Sequence, residues 1–292
     1  MPARQERLEA IIESVGELPA LPGIVADVLA ITEDPAVAVS RISECVQRDP
    51  GLAAKILKVA NSPHYGMKQY VSTLKLAIVI LGIREVRNIV LGISLFETLQ
   101  DGRVERTLAR EIWAHSLQVA AWCRMIGASL NLGLQGEDFI GGLLHDIGKI
   151  VLLRQIGGDY FDLIKRSGGH GEVFCQMETN IFGFDHAGAA EALATHWNLP
   201  QSLSDALWMH HAAPERRLDE AAHPSLAALV RVANVAACED FSETVLEPPP
   251  SCMLEEAWSA LDSPKAPKDP VGRYVLLSGF AAEIQEMPLL FL

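Results

Sequence analysis

The chain has 292 residues, of which 49% are apolar and 21% charged, and its 24 Lys and Arg against 37 Asp and Glu give a net charge of −13. This length and composition exclude collagen-like, intrinsically disordered and disulfide-scaffold proteins, and they supply enough apolar residues for one or two ordinary domains. The negative charge disfavours direct binding of nucleic acid, because the phosphate backbone is also negative.

The sequence predicts a cytoplasmic protein without membrane association. Its longest apolar stretches, such as residues 76–83, are much shorter than the roughly 20 residues of a transmembrane helix. The N-terminus alternates charges where a signal peptide would have a hydrophobic core. The five cysteines are scattered and form no Cys-x-x-Cys pair. We therefore expect them to be small core residues, without disulfides or a thiolate zinc site.

The first hundred residues are predicted to form packing helices. Asp49 followed by Pro50 is a typical helix start, and this helix is expected to run to Asn61. Thr73 is a predicted N-cap of a second helix, which Gly82 ends before a third begins.

The region that follows contains further predicted helices. A long helix ends near Leu130 and carries His115 on its apolar stripe. Asp185 is a predicted N-cap, and Pro200 and Pro224 each begin another helix. Because no strand alternation persists, the predicted fold class is all-α.

Three parts are predicted along the chain. Residues 1–104 form an N-terminal helical subdomain, residues 105–242 a second helical subdomain, and residues 243–292 a Pro-rich linker with a C-terminal helical extension. The polar segment 101–106 marks the first boundary, and the three consecutive prolines 248–250 indicate a stiff spacer.

Histidines and carboxylates at the ends and on the apolar faces of predicted helices are candidate metal ligands. They are Glu111, His115, His145, Asp146, His186, His210 and His211. Glu111 and His115 are four residues apart and project from one side of a helix. Nitrogen and oxygen ligands suit iron, manganese or zinc in a mononuclear or dinuclear centre, and a hydrogen-bonded polar core is the alternative. The histidines that lack an acidic partner are expected to be ordinary core residues: His64, His170, His196 and His223.

A series of short motifs runs through residues 15–240. They are Leu18–Pro22, Asp49-Pro50, Ala60–Pro63, Tyr65-Gly66, Ala77–Gly82, Leu144–Lys149, Gly183–His186, Trp197–Pro200 and His210-His211. Together they resemble the HDOD domain, a bacterial signalling module related to the HD phosphohydrolases. The resemblance implies a helical N-terminal bundle packed on an HD-like helical half, and a regulatory role.

The related HD-GYP proteins, which hydrolyse cyclic di-GMP, present their metal ligands in the same order as the seven candidates above. The resemblance also implies that Lys149 contacts phosphate in an active member. Asn234 stands where that family has its last metal-binding aspartate, and the Gly-Tyr-Pro segment is missing. A neutral amide is a poorer ligand than a carboxylate, so we expect a degenerate metal site without phosphodiesterase activity.

The expected function is that of a stand-alone regulatory module in signal transduction. It would bind a signalling protein or a small ligand such as a nucleotide. No receiver domain is expected before the first motif, so the input would come from a partner or from the C-terminal extension. Two alternatives stay open. One is a metal-dependent phosphohydrolase acting on a nucleotide or cyclic dinucleotide, with Lys149 neutralising phosphate charge. The other is redox or oxygen sensing by a di-iron centre.

Overall fold

The structure, a computed structural model, describes residues 2–286 except for 17, 33, 35, 62–68, 100–105, 135 and 242–246. Every regular element within these ranges is a helix, so the predicted all-α fold is confirmed. None of the described helices combines the length and the hydrophobicity needed to cross a membrane. His64 and most of the predicted boundary at 101–106 lie outside the described residues.

Sixteen α-helices are found among the described residues. They are α1 (Pro2–Val15), α2 (Gly23–Thr32), α3 (Val39–Val46), α4 (Pro50–Ala60), α5 (Leu74–Leu81), α6 (Ile83–Leu99), α7 (Arg106–Ser129), α8 (Glu137–Leu144), α9 (Ile147–Ile156), α10 (Gly158–Ser167), α11 (Gly171–Phe182), α12 (His186–His196), α13 (Gln201–Trp208), α14 (Pro224–Ala236), α15 (Glu255–Ala260) and α16 (Pro270–Glu286).

These helices form two compact units. The smaller unit contains α2–α6, and the larger unit contains α1 together with α7–α16. Helix α1 thus belongs with the helices that carry most of the histidines, although no sequence signal separates it from α2. It packs against α12, where Arg4 and Arg7 form ion pairs with the buried carboxylate of Glu191.

Three of the predicted helix starts are capped as expected. The side chains of Asp49, Thr73 and Asp185 accept hydrogen bonds from backbone N–H groups in the first turns of α4, α5 and α12. Each bond satisfies a donor that the helix itself leaves unpaired. The cap on α12 fixes the direction in which this helix begins, and its first residue is His186.

Two glycines allow the helices of the larger unit to pack at unusually short distances. A Cβ atom on Gly142 of α8 would lie 2.7 Å from the Cα of Ala120 on α7. A Cβ atom on Gly148 of α9 would lie 1.9 Å from the carbonyl oxygen of His186 at the start of α12. Real Cβ atoms cannot approach so closely, so glycine is required at both contacts. They bring α7, α8, α9 and α12 together around one buried pocket.

Candidate metal centre

Five histidines and one aspartate from different parts of the larger unit converge in this pocket. His115 lies on α7, His145 and Asp146 form the junction between α8 and α9, His186 begins α12, and His210 and His211 follow α13. His115 is partly exposed, and the other five are buried. The junction between α8 and α9 explains how two adjacent residues can face the same pocket.

Asp146, His186, His210 and His211, which we call the inner group, have ligand atoms at very short mutual distances. Nε2 of His186 lies 3.3 Å from Nε2 of His210, 3.2 Å from Nε2 of His211 and 3.3 Å from Oδ1 of Asp146. Nε2 of His210 is 3.7 Å from the same oxygen. Ligands bound tetrahedrally at about 2.0–2.1 Å lie roughly 3.3 Å from one another. All the ligand atoms of the inner group lie within 4.8 Å of one another, and these four distances are close to the spacing of ligands around a single ion.

Hydrogen bonds on the opposite side of the rings fix which nitrogen faces the pocket. Nδ1 of His145 donates to the carbonyl of Gly142 at 2.7 Å, and Nδ1 of His210 donates to the carbonyl of Leu207 at 2.6 Å. Because a carbonyl only accepts, each Nδ1 carries the proton. Nε2 of the neutral ring then presents a lone pair, which is the arrangement of a metal-binding histidine.

His186 is oriented by a carboxylate that the sequence analysis did not identify. Its Nδ1 donates to Oε2 of Glu178 at 2.6 Å, and Glu178 is fully buried on α11. The hydroxyl of Tyr160 donates to the other oxygen of Glu178. Such carboxylate–histidine pairs orient the ring and raise its basicity in metal sites.

Protonation states favour metal binding for most of the imidazoles. Burial lowers the pKa of His115 to about 3 and holds the pKa values of His210 and His211 well below their ordinary value. These rings are therefore neutral at pH 7. Burial acts in the same direction on His186, but the Glu178 carboxylate outweighs it and raises the pKa to about 9. A metal ion would displace this proton, since a ligating imidazole must be free of it at the coordinating nitrogen.

Asp146 is the one carboxylate in the inner group. Burial by itself would raise its pKa, but the nearby His145 and Lys149 outweigh burial and hold the pKa well below its usual range. Nζ of Lys149 donates to Oδ2 of Asp146 at 2.7 Å. Among the described residues, neither Oδ1 of Asp146 nor Nε2 of His145 has a hydrogen-bond partner. Two buried polar atoms without partners fit a cation that would bind them.

His115, His145 and Asp146, which we call the second group, are less compact than the inner group. Nε2 of His145 lies 3.4 Å and Nε2 of His115 lies 3.9 Å from Oδ2 of Asp146. Nε2 of His115 is 3.0 Å from Oδ1 of Asn234, which accepts its hydrogen bond. Asn234 thus lies beside His115 of the second group and contributes no charge there.

The structure does not bring Glu111 into either group. Its side chain is 57% exposed, and it forms an ion pair with Lys165 at 3.7 Å. We expect Glu111→Ala to leave the metal content unchanged and to alter the free energy of unfolding by no more than about 1 kcal/mol, because exposed ion pairs contribute little. Metal analysis and urea unfolding test this, with Lys165→Ala as the matched control. Loss of metal in Glu111→Ala would make Glu111 a ligand.

Several expectations about single residues require correction. His170 and His196 are exposed rather than core residues, and His223 is partly exposed. Cys238 is also exposed, whereas the other four cysteines are buried. Cysteine is often buried and histidine is sometimes buried, so a core position was a reasonable expectation for each of them. The sequence alone does not show that these residues lie in loops or at helix ends.

A cavity of about 670 Å³ adjoins the second group. Its walls include His115, Lys149, Lys165, His170 and Cys238. Glu111 also lines this cavity, and both lysines are paired with carboxylates, Lys149 with Asp146 at 2.7 Å and Lys165 with Glu111 at 3.7 Å. The volume lies within the usual size range of ligand pockets, and the two ammonium groups are the cations on its wall that an anionic group could contact.

The HDOD domain matches residues 18–213 of the chain. The chain belongs to the HDOD family. A crystal structure of an HDOD domain protein of unknown function from Geobacter sulfurreducens is similar over 99% of both chains, with a TM-score of 0.74 and 23% sequence identity. A candidate phosphohydrolase from Shewanella amazonensis SB2B is similar over 97% of this chain and 98% of its own, with a TM-score of 0.73 and 22% identity.

The chain is also similar to a curated sequence. An uncharacterized protein of Treponema pallidum (strain Nichols) is 24% identical over 206 residues, which cover 70% of this chain. The match covers 40% of the length of that relative. At these identities the two solved structures show the fold alone, so the function of this HDOD chain depends on its own residues.

Proposed function

We propose that this HDOD chain is a regulatory module that binds a metal ion in the inner group and an anionic small ligand, such as a nucleotide, in the adjoining cavity. A signalling protein would then recognise the loaded state. The spacing of 3.2 to 3.7 Å among the facing ligand atoms of the inner group is the observation that carries the proposal. Three imidazole nitrogens and a carboxylate oxygen that face one another at these distances form a donor set that a metal ion would bind.

The residues of the chain have distinct parts in this proposal. Asp146, His186, His210 and His211 would hold the ion, and iron, manganese or zinc suits this donor set. When bound, such an ion supplies positive charge that attracts a phosphate oxygen. Glu178 holds the ring of His186 in place, and burial of the pocket excludes bulk water from the ligands.

Charge balance favours binding over hydrolysis. In the two groups together, Asp146 is the one carboxylate, because Asn234 is neutral and Glu111 faces solvent. Lys149 already engages one oxygen of Asp146. Two divalent ions would therefore bring four positive charges to one negative charge. Phosphoryl transfer depends on precise charge compensation, and a single ion in the inner group is the better balanced state.

A metal-dependent phosphohydrolase is the second candidate function. The two lysines on the cavity wall favour it, since Lys149 and Lys165 lie where a phosphate bound near His115 would meet them. It requires two ions in most such centres, which act together on the attacking and leaving oxygens. The second group would have to hold one of these ions despite the neutral amide of Asn234.

Replacing Asn234 by aspartate separates the two candidates. We expect Asn234→Asp to raise the manganese content from about one ion to about two per chain, because a second carboxylate then faces His115. Hydrolysis of bis(p-nitrophenyl) phosphate should appear in this variant and be absent from the wild type. Metal analysis and a colorimetric assay provide both measurements.

The control is Asn234→Ala, which removes the hydrogen bond to His115 without adding charge and should keep about one ion. Turnover by the wild type would favour the phosphohydrolase. A wild-type chain that retains no metal after dialysis would contradict the proposed function.

A further inference from the structure

Three side chains of metal-binding type meet at the rim of the cavity, outside the inner group. His115 comes from α7, His170 immediately precedes α11, and Cys238 follows the end of α14. Their ligand atoms lie within 4.8 Å of one another. The rings of His115 and His170 are in edge contact, with centroids 5.3 Å apart. We call these residues the outer triad.

The backbone around His170 has an unusual conformation. Gly168, Gly169 and Gly171 have φ angles of +81°, +70° and +78°, which residues other than glycine rarely adopt. A Cβ atom on Gly169 would also lie 2.9 Å from the side chain of Ile164. The glycines therefore fold the loop tightly and place His170 opposite His115. Core packing does not account for this position, because His170 is exposed.

Cys238 differs from the other cysteines in ways that matter for metal binding. It is the exposed cysteine among the five, and Cys175, the other cysteine near a histidine, is buried. Burial raises the pKa of the Cys175 thiol and also raises the pKa of the Cys238 thiol, so exposure and position, and not the direction of the pKa shift, distinguish Cys238. Exposed side chains such as Cys238 and His170 can also adjust their rotamers to a common ion at little cost.

We propose that the outer triad binds a zinc ion at the mouth of the cavity. Two imidazoles and one thiolate form a mixed nitrogen and sulfur set that suits this borderline-soft ion. Three protein ligands leave one position open, as in zinc sites that exchange water or ligands. This position would face the cavity near Lys149 and Lys165, where an anion would complete the coordination.

The zinc site would also regulate the neighbouring second group. His115 belongs to both the outer triad and the second group. Zinc at the outer triad would hold this imidazole at the rim and add positive charge to the part of the cavity that Lys149 lines. Free zinc would thereby control whether an anionic ligand enters the cavity. The inner group shares no residue with the outer triad, so the two sites can be tested separately.

Cobalt(II) spectroscopy tests the site, because cobalt bound to a thiolate gives a near-ultraviolet charge-transfer band that nitrogen and oxygen ligands do not give. We expect the wild type to show this band, and zinc to remove it by competition. Cys238→Ser should lose the band, and the matched control Cys175→Ser should keep it. His170→Ala should weaken cobalt binding at the band at least about tenfold, since one of three ligands is missing. Thermal unfolding confirms that each variant is folded.

Three results would overturn the zinc site. They are absence of the band in the wild type, persistence of the band in Cys238→Ser, and unchanged affinity in His170→Ala, which would mean that a lone thiol binds the probe. His186→Ala distinguishes this failure from failure of the inner group. The His186→Ala variant should keep the cobalt–thiolate band while losing the ion of the inner group. Loss of the band in this variant would contradict the independence of the two sites.

Discussion

Replacement of His186 by alanine is expected to lower the affinity of the inner group for its metal ion by more than about a hundredfold. Its Nε2 lies within 3.3 Å of three other ligand atoms, so no other residue has as central a place in the group. Loss of a group that only hydrogen-bonds to a metal ligand typically lowers the affinity of a site for its metal roughly 10- to 100-fold. Loss of a ligand itself should lower the affinity further. Metal content after dialysis and calorimetric titration with manganese measure this effect.

Two variants give this experiment its controls. His196→Ala removes an exposed histidine from the last turn of the same helix and should retain the wild-type metal content. Glu178→Gln keeps His186 but replaces its carboxylate partner, and we expect an intermediate loss of affinity. Equal affinity in His186→Ala and the wild type would exclude the inner group as the metal site.

Local features of the fold were predictable because their causes are local. A side chain such as Asp185 caps a helix through atoms two or three residues away, so the sequence itself shows the partner. The same holds for Gly82, whose positive φ ends α5 where the pattern predicts a break. The cap by Asp185 sets the start of α12, whose first residue is His186 of the inner group.

The resemblance to the HDOD and HD-GYP proteins implied that the histidines converge. It did not show which side chains enter the pocket or which groups orient them. Glu111 and His115 share a helix face, but four residues also separate them by about 6 Å along the axis. That rise is enough to leave Glu111 in solvent while His115 reaches the pocket. Glu178 was missed because it meets His186 across a turn at Gly183, and no local pattern marks such a contact.

The close contact between α9 and α12 leads to the second large prediction. Gly148→Ala should destabilise the fold by at least about 3 kcal/mol, because its Cβ would lie 1.9 Å from the carbonyl oxygen of His186 and 2.8 Å from the backbone nitrogen of Ala190. Both atoms are backbone, so relief requires the two helices to separate. Asp146, two residues before Gly148, would then move away from His186. Urea unfolding of the metal-free protein measures the loss of stability.

Gly279→Ala is the matched control, since Gly279 lies within α16 and a Cβ atom there meets nothing within 4 Å. Alanine is favoured over glycine in a helix by about 1 kcal/mol or less, so this variant should be unchanged or slightly more stable. We thus expect the same substitution to destabilise the fold at Gly148 and not at Gly279, and the difference in the free energy of unfolding measures the contact that brings Asp146 and His186 together. If Gly148→Ala were as stable as the wild type, α9 and α12 would not be in backbone contact, and the spacing of the inner group would lose its structural basis.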